Sequence, residues 1–370
     1  MIYLDNNATT SLDPQVLAEI QPLLCRVIGN PSSVHRYGQE AKALLSESLR
    51  KCADFFGVRT DEIIFTSGAT EAINFLIRSL PSGTHVITSA LEHSATLESL
   101  KLSAGDVSFL DPLPEKGSIS ADQIRGALKD NTTMIVMSAA NNETGIKADV
   151  EAIAAVASRA NIPFILDGVA FLGKEQFDLP EGVSATCFSG HKIHAPLGVG
   201  IAVVRKSFKT HPFIVGGPQQ RGLRAGTENL PAIVGFAKAL SLLAENGERW
   251  RREITILRDR LEEGILSSLP DVVIHGKEEP RICNTSNIAF PDVDGETLLI
   301  VLDLAGLAVS HGSACSSGAL QPSRVLLSMG IAPKIARSSL RFSLSRFTTK
   351  EEIDTSIALI VEAVTRLRSL

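Results

Sequence analysis

The sequence between about Pro14 and Arg205 alternates between short apolar runs and segments of helical periodicity, and this alternation is the feature that most constrains the fold. Seven runs rich in β-branched residues predict strands: Ile63–Thr66, His85–Thr88, Val107–Leu110, Met134–Met137, Pro163–Leu166, Ala185–Phe188 and Gly200–Val204. Helix-period segments lie between most of them: Gly38–Phe56, Ala69–Leu80, Ser94–Ser103, Ala121–Lys129 and Asp149–Ala160. Because strands that alternate with helices build buried parallel sheets, the pattern predicts an α/β fold with a mostly parallel, seven-stranded sheet.

The pattern changes after Gly216. A loop rich in Gly and Arg, GGPQQRGLRAGTEN, leads into a long helical stretch from Asn229 to about Leu269, and short strands and helices follow. A chain of 370 residues exceeds what one hydrophobic core usually supports. We therefore predict a large domain over residues 14–250 and a smaller α+β domain formed by residues 1–13 and 251–370.

Composition excludes several classes of function. A net charge of −5 without a long basic run argues against a nucleic-acid surface. The most apolar stretch, Pro231–Ala244, contains Lys238 and is too short to span a bilayer, and the start of the chain does not resemble a signal peptide. The five cysteines show neither a disulfide framework nor the CxxC spacing of a zinc site, so we expect no metal site and a reducing, cytoplasmic setting.

Polar or ionisable residues follow four of the predicted strands. Ile63–Thr66 leads into SGAT and Met134–Met137 into SAANNETG, while Pro163–Leu166 leads into Asp167 and Ala185–Phe188 into SGHK. Since ligands of open α/β sheets bind beyond the carboxyl ends of the strands, these four clusters should face one pocket.

The chemistry of these clusters suits an anionic aromatic cofactor. The segment Ser67–Thr70 opens a helix, and free N–H groups at a helix start bind phosphate. Asp167 ends an apolar strand, where a protonated pyridine nitrogen would be a good partner for its carboxylate. Lys192, in a Ser-Gly-His-Lys turn, can form a Schiff base with an aldehyde. Each signal alone is weak, and their joint placement at strand ends carries the prediction.

Nine motifs, in order, carry a family resemblance. They are YLDNNATT (Tyr3–Thr10), NPSSVH (Asn30–His35), TSGATEA (Thr66–Ala72), EH (Glu92–His93), NNETG (Asn141–Gly145), SGHK (Ser189–Lys192), RAGTEN (Arg224–Asn229), GSACSSG (Gly312–Gly318) and RFSLSRFTT (Arg341–Thr349). With them the chain resembles the cysteine desulfurases of the NifS/IscS type, class V aminotransferase-like enzymes of fold type I that use pyridoxal 5′-phosphate (PLP). The resemblance runs nearly end to end and implies that the large domain binds PLP.

The resemblance implies a set of cofactor contacts. Lys192 would attach PLP covalently, Asp167 would pair with the pyridine nitrogen, and His93 would stack on the ring and move protons. The remaining cofactor-binding residues would contact the phosphate or the ring: Ala69, Thr70, Ser189 and His191 at the phosphate, and Asn142 at the phenolic oxygen or the substrate. Thr227 would reach the phosphate of a partner subunit's cofactor, which implies a homodimer with shared active sites.

The resemblance also implies the substrate and its fate. Arg341 would hold the carboxylate of L-cysteine, a task suited to a bidentate guanidinium. Cys315 would take the sulfur as a persulfide, leaving L-alanine, and pass it to a sulfur-acceptor protein such as an iron–sulfur scaffold; it would also be able to ligate a cluster transiently. Its small, polar neighbours, GSACSSG, suit a thiol that must attack a substrate and carry sulfur outward. His311, four residues earlier, is hypothesised to favour the Cys315 thiolate.

Departures from the family pattern and three alternatives qualify this interpretation. Members of the family usually have a Gln three residues after the Asp167 position, where this chain has Ala170, so one hydrogen bond of about 1 kcal/mol to the cofactor is lost. The alternatives are a selenocysteine lyase, another class V aminotransferase-like PLP enzyme such as a small aminotransferase, and a weakly active scaffold for iron–sulfur assembly.

Overall fold

The structure is a computed structural model that describes residues 1–27, 29–79, 83–114, 116–312 and 322–369. The strands of these residues are β1 (Ile2–Tyr3), β2 (Ile63–Thr66), β3 (His85–Ser89), β4 (Asp106–Leu110), β5 (Thr132–Ser138), β6 (Phe164–Asp167), β7 (Val183–Ser189), β8 (Gly200–Val204), β9 (Val273–Ile274), β10 (Thr285–Ala289), β11 (Leu307–Ala308) and β12 (Ser339–Ser343). The α-helices are α1 (Pro14–Leu24), α2 (Arg36–Phe56), α3 (Ala69–Ile77), α4 (Ser94–Ser103), α5 (Ala121–Ala127), α6 (Val150–Arg159), α7 (Leu230–Ser268), α8 (Gly295–Leu304), α9 (Arg324–Ser328), α10 (Pro333–Arg337) and α11 (Lys350–Arg368).

Seven strands form the large sheet, in the order β2-β8-β7-β6-β5-β3-β4. Strand β8 is antiparallel to both of its neighbours, and the other pairs are parallel. The predicted α/β fold with a mostly parallel seven-stranded sheet is therefore confirmed. Because six strands run the same way, the residues that follow β2, β5, β6 and β7 meet at one edge of the sheet.

Helices cover both faces of this sheet. Ile63 and Phe65 pack under helices α2 and α7, whereas Ile64 packs against α3 on the opposite face. This division follows from the two-residue period of a strand, which sends neighbouring side chains to opposite faces. Burial on both faces explains why the strands appear in the sequence as continuous apolar runs.

Helix ends follow the local signals in the sequence. Ser120 accepts from the Gln123 N–H in a capping box at the start of α5, and Asp149 accepts from the Ala152 N–H at the start of α6. Gly57 ends α2 at φ 61° and ψ 37°, a left-handed conformation that favours glycine.

A second hydrophobic core, separate from the one at the large sheet, lies around a three-stranded antiparallel sheet in the order β12-β10-β9. Helices α8, α11 and the end of α7 pack against this sheet. The helical stretch predicted after Asn229 is one continuous helix, α7. Trp250, at the middle of α7, packs against both cores, and the predicted boundary at residue 250 falls there. The division into domains at 14–250 stays a prediction. Among the described residues, no helix combines the length and apolarity needed to span a membrane.

Candidate active site

A cavity of about 420 Å³ lies at the carboxyl edge of the large sheet. Nine of the residues predicted from sequence line it: Ala69, Thr70, His93, Asn142, Asp167, Ser189, His191, Lys192 and Arg341. They come from the ends of β2, β5, β6 and β7, from the start of α4, and from β12 of the second core. The four strand-end clusters therefore do face one pocket.

The start of helix α3 forms one end of the cavity, and this end suits a phosphate group. The Thr66 hydroxyl donates to the Gly68 carbonyl at 2.9 Å, which shapes the turn between β2 and α3. A Cβ on Gly68 would lie 3.7 Å from Ser189 Oγ, so glycine leaves the space between the helix start and this hydroxyl open. Gly200 approaches from β8 so closely that a Cβ there would lie 2.6 Å from Gly68 Cα. The backbone N–H groups at the start of α3 and the hydroxyl of Ser189 suit an anion.

Lys192 lines the cavity and is anchored by the N-terminal segment. It ends a 3-10 turn, Gly190–Lys192, that directly follows β7. Its Nζ donates to the carbonyl oxygen of Ala8 at 2.8 Å and to that of Asn7. These two carbonyls hold the Lys192 amine at the cavity wall, although Asn7 and Ala8 lie more than 180 residues before Lys192 in the sequence.

A second lysine, Lys174, lies behind Lys192. The Lys174 side chain is 8% exposed and its Nζ donates to the Lys192 carbonyl. Burial lowers the pKa of Lys174 to about 7, and the charge of Lys192 adds to this effect. No carboxylate pairs with Lys174 in the described part of the chain. The sequence analysis missed this residue, because an isolated lysine in a turn carries no distinguishing pattern.

Asp167 ends strand β6 and its Oδ1 accepts from the Val169 N–H at 3.0 Å. Desolvation raises the pKa of the Asp167 carboxyl, against the opposing effects of that N–H and of nearby His93 and Lys192. Within the described residues it forms no ion pair with Lys or Arg. A cation bound beside this carboxylate would therefore relieve an unfavourable burial.

Two histidines line the cavity in defined hydrogen-bonded states. His93 caps helix α4, where its Nδ1 accepts from the Ala95 N–H at 3.1 Å, so a neutral ring carries its proton on Nε2. His191 Nδ1 lies 3.1 Å from Thr9 Oγ1. Burial, together with the charges of Lys192 and Lys174, lowers the pKa of His191 to about 4. His191 is therefore neutral at pH 7.

Arg341 brings the second core to the cavity. Its side chain is 1% exposed, and its Nη2 donates to Asp5 Oδ1 at 2.7 Å while its Nη1 donates to the Asn142 carbonyl at 3.1 Å. Arg341 Nε is buried and has no hydrogen-bond partner among the residues that the structure describes. Asp5 was not predicted as a site residue, although it lies within the YLDNNATT motif.

The other predicted residues lie elsewhere. Thr227 is exposed and does not line the cavity of its own chain. Cys315 lies outside the described residues, so its predicted role stays a prediction. His311 Nε2 lies 2.9 Å from the Arg337 carbonyl, and its hypothesised effect on Cys315 also stays untested. Ala170 lines the cavity, as its distance of three residues from Asp167 suggests.

The donor set of the cavity fits PLP. The start of α3 and Ser189 suit the phosphate, and the desolvated carboxylate of Asp167 suits a protonated ring nitrogen. Lys192 supplies an amine and His93 a flat ring on the same cavity. Gly68 carries no side chain between the helix start and Ser189 Oγ, so both face the cavity.

The fold and this site define a class. The chain belongs to the class-V aminotransferase family, whose model matches residues 2–355. A cysteine desulfurase from Trichormus azollae is 39% identical over 378 aligned positions, which cover the whole chain and 94% of that protein. The cysteine desulfurase NifS of Azotobacter vinelandii is 38% identical, again over the whole chain and 94% of that protein. This full-length similarity assigns the chain to the cysteine desulfurases, which are PLP-dependent enzymes of this class.

Solved structures of NifS-like proteins share this fold. A NifS-like protein superposes with a TM-score of 0.92 at 33% identity, over 99% of this chain and 100% of that chain. A NifS-like protein from Rickettsia africae gives a TM-score of 0.89 at 30% identity over 100% of both chains. SspA, solved in complex with cysteine, gives a TM-score of 0.81 at 28% identity over 94% of this chain and 100% of that chain.

Proposed function

We propose that this cysteine desulfurase holds PLP on Lys192, takes sulfur from L-cysteine to leave L-alanine, and carries the sulfur as a persulfide on Cys315. The observation that carries the proposal is the convergence of an amine, a desolvated carboxylate, a helix start and a buried guanidinium on one cavity. The relative solved with cysteine supports the choice of substrate.

Each part of the cofactor would have its own partners. Ala69 and Thr70 at the start of α3 would hold the phosphate together with Ser189 and neutral His191. Asp167 would hold the ring nitrogen, and His93 would cover the ring. Asn142 would contact the phenolic oxygen or the substrate. When bound, PLP supplies the electron sink that accepts negative charge from the substrate α-carbon.

The chain's own residues would bind the substrate and move protons. Arg341 would hold the substrate carboxylate, with its guanidinium oriented by Asp5. Lys192, once released from the cofactor, would move the α-proton, and the Asn7 and Ala8 carbonyls would receive its ammonium form. His93 would donate from Nε2 to a group above the ring. Apart from Asp5, the residues that take these roles line the cavity.

Sulfur transfer itself would fall to Cys315. Its thiolate would form an S–S bond with the substrate sulfur as the C–S bond breaks, and the carbon skeleton would leave as alanine after protonation. Since a thiol of ordinary pKa is only a few per cent ionised at neutral pH, local activation of Cys315 is expected.

The proposal extends to partners. Thr227, exposed and away from its own cavity, would complete the phosphate site of a second copy in a homodimer. The persulfide would pass to a sulfur-acceptor protein such as an iron–sulfur scaffold. The four described cysteines are free thiols, in keeping with a reducing cytoplasm as the proposed setting.

Borohydride trapping followed by peptide mass spectrometry tests the central linkage. We expect a pyridoxyl group on Lys192 in the purified protein and its loss in Lys192→Ala. With L-cysteine, the wild type should form alanine and Cys315→Ser should not, while its pyridoxyl adduct is retained. An adduct at another lysine, or full alanine formation by Cys315→Ser, would contradict the proposal.

A further inference from the structure

Asn7 forms hydrogen bonds to several segments around the site, which its place in the YLDNNATT motif did not predict. Its side chain is buried, and its backbone N–H donates to Ser343 Oγ at 2.9 Å. Its Nδ2 donates to Thr285 Oγ1 at 2.8 Å and to the Asn142 carbonyl at 3.0 Å, and its Oδ1 accepts from Asn284 Nδ2 at 3.0 Å. Each polar group of the residue therefore has a partner, because its carbonyl accepts from Lys192 Nζ.

These bonds join the two side chains on which the reaction depends. The Asn7 carbonyl holds the Lys192 amine. The Asn142 carbonyl that receives Asn7 Nδ2 also receives Arg341 Nη1, at 3.1 Å. One asparagine thus touches the lysine directly and the arginine through a shared carbonyl, while Thr285, Asn284 and Ser343 fix its position on the second core.

We propose that Asn7 is a positioning residue that sets the Lys192 amine and the Arg341 guanidinium relative to each other. This inference rests on the proposed function, in which Lys192 attaches the cofactor and Arg341 receives the substrate carboxylate. Two cores supply these groups, and Asn7 is hydrogen-bonded to residues on both sides, which keeps their spacing constant. Holding reacting groups in a fixed geometry is a large part of enzymatic rate enhancement.

The neighbouring Asn6 provides a matched control. It is also buried, and its Nδ2 donates to the Tyr3 carbonyl at 3.2 Å and to the Ser343 carbonyl at 2.9 Å. It therefore ties the same segment to the same strand, but its bonds reach neither Lys192 nor Asn142. A purely structural role of the segment would make the two asparagines equivalent.

The experiment compares Asn7→Asp, Asn7→Ser and Asn6→Asp in the full-length protein. The first readout is the yield of borohydride-trapped pyridoxyl-Lys192 after cofactor-stripped protein is given limiting PLP, and the second is the KM for L-cysteine. Loss of the two hydrogen bonds donated by Asn7 Nδ2 should lower the trapping yield and raise KM about tenfold, equivalent to about 1.4 kcal/mol, in both Asn7 variants. Asn6→Asp should lose thermal stability to a similar extent and change neither readout.

The outcomes separate the two proposals. No adduct on Lys192 of the wild type would overturn the proposed function itself. With that adduct present, an Asn7 variant that matches Asn6→Asp in both readouts would overturn the positioning role. A change in only one readout would also overturn it, because the lysine and the arginine would then be set independently. Asn7→Ser keeps the test valid if the added charge of Asn7→Asp prevents folding.

Discussion

Arg341 Nη2 donates to Asp5 Oδ1 at 2.7 Å. Arg341 lies at the centre of strand β12, and Asp5 lies just after β1, where it also forms a β-bridge with Ser343. The arginine is almost fully buried, whereas the aspartate retains partial exposure. A buried arginine needs such a partner, because an isolated buried charge is costly. The pair also fixes the plane of the guanidinium that faces the cavity.

Asp5→Asn should weaken binding of L-cysteine more than turnover. The amide keeps an acceptor but loses the charge-assisted bond that orients Arg341, so we expect KM to rise about tenfold and kcat to change less than about twofold. Alanine formation across a range of cysteine concentrations measures both constants. Asp354→Asn, which breaks an exposed pair with Arg260, is the control. An unchanged KM in Asp5→Asn would show that Asp5 does not orient the arginine.

Three of the cysteines should resist alkylation in the native protein. Cys52, Cys187 and Cys283 are buried, and burial raises the pKa of all three thiols, to about 12 for Cys283. Because the thiolate is the reactive form, iodoacetamide at pH 8 should leave them unmodified until urea unfolds the chain. Exposed Cys25 is the internal positive control. Mass spectrometry of peptides measures each site, and native labelling of Cys187 would contradict the buried geometry.

Glu92 should make the protein less stable as the pH rises. The Glu92 side chain is buried, its Oε1 accepts from Ser89 Oγ at 2.9 Å and its Oε2 from Ser138 Oγ, and burial raises its pKa from 4.5 to about 7. The folded state holds the Glu92 proton more tightly than the unfolded state does. The contribution of protonated Glu92 to folding stability is therefore complete below pH 4.5, and it is lost as the pH rises to about 7 and above. The loss is on the order of 3 kcal/mol.

Glu92→Gln removes this pH dependence. Its free energy of unfolding in urea should exceed that of the wild type by an amount that grows from pH 5 to pH 8. Glu98→Gln, on the exposed surface of α4 beside Lys101, should give a constant difference. Parallel curves for Glu92→Gln and the wild type would mean that Glu92 titrates normally.

Gly200→Ala should disturb the phosphate end of the cavity. The added Cβ would lie 2.6 Å from Gly68 Cα and 2.8 Å from the Phe188 carbonyl oxygen, both backbone atoms that cannot move aside singly. We expect a loss of about 2 kcal/mol in stability and a weaker affinity for PLP, measured by fluorescence titration. Gly126→Ala, where a Cβ meets no atom within 4 Å inside α5, should be neutral or stabilise slightly. Equal PLP affinity in Gly200→Ala and the wild type would contradict the proposed phosphate site.

Mixing two substituted chains tests the proposed shared site. In a dimer that pairs Lys192→Ala with Thr227→Ala, one cavity would carry both substitutions and the other would carry neither. If Thr227 serves the partner's cofactor, unfolding and refolding the two variants together should restore alanine formation above the level of either alone. Lys192→Ala mixed with Asp167→Ala, two residues of the same cavity, should restore nothing. Equal results from the two mixtures would contradict a role of Thr227 at the partner's cofactor.

The sheet could be predicted because its strands are buried on both faces and so form continuous apolar runs. The reversed direction of β8 could not, because Gly200–Val204 has the same pattern in either direction. The long helix α7 was predicted, but its passage from one core to the other at Trp250 depends on packing that no local signal records.

The sequence by itself determined the class of fold, the strand-end positions of Asp167 and Lys192, and the family, since these depend on local periodicity and on ordered motifs. Only the tertiary structure decided that the Asn7 and Ala8 carbonyls hold Lys192, that Asp5 pairs with Arg341, and that Lys174 lies behind the site. Those contacts join segments far apart in the chain, and hydrogen bonds between distant segments depend on how the two cores pack rather than on any pattern within one segment.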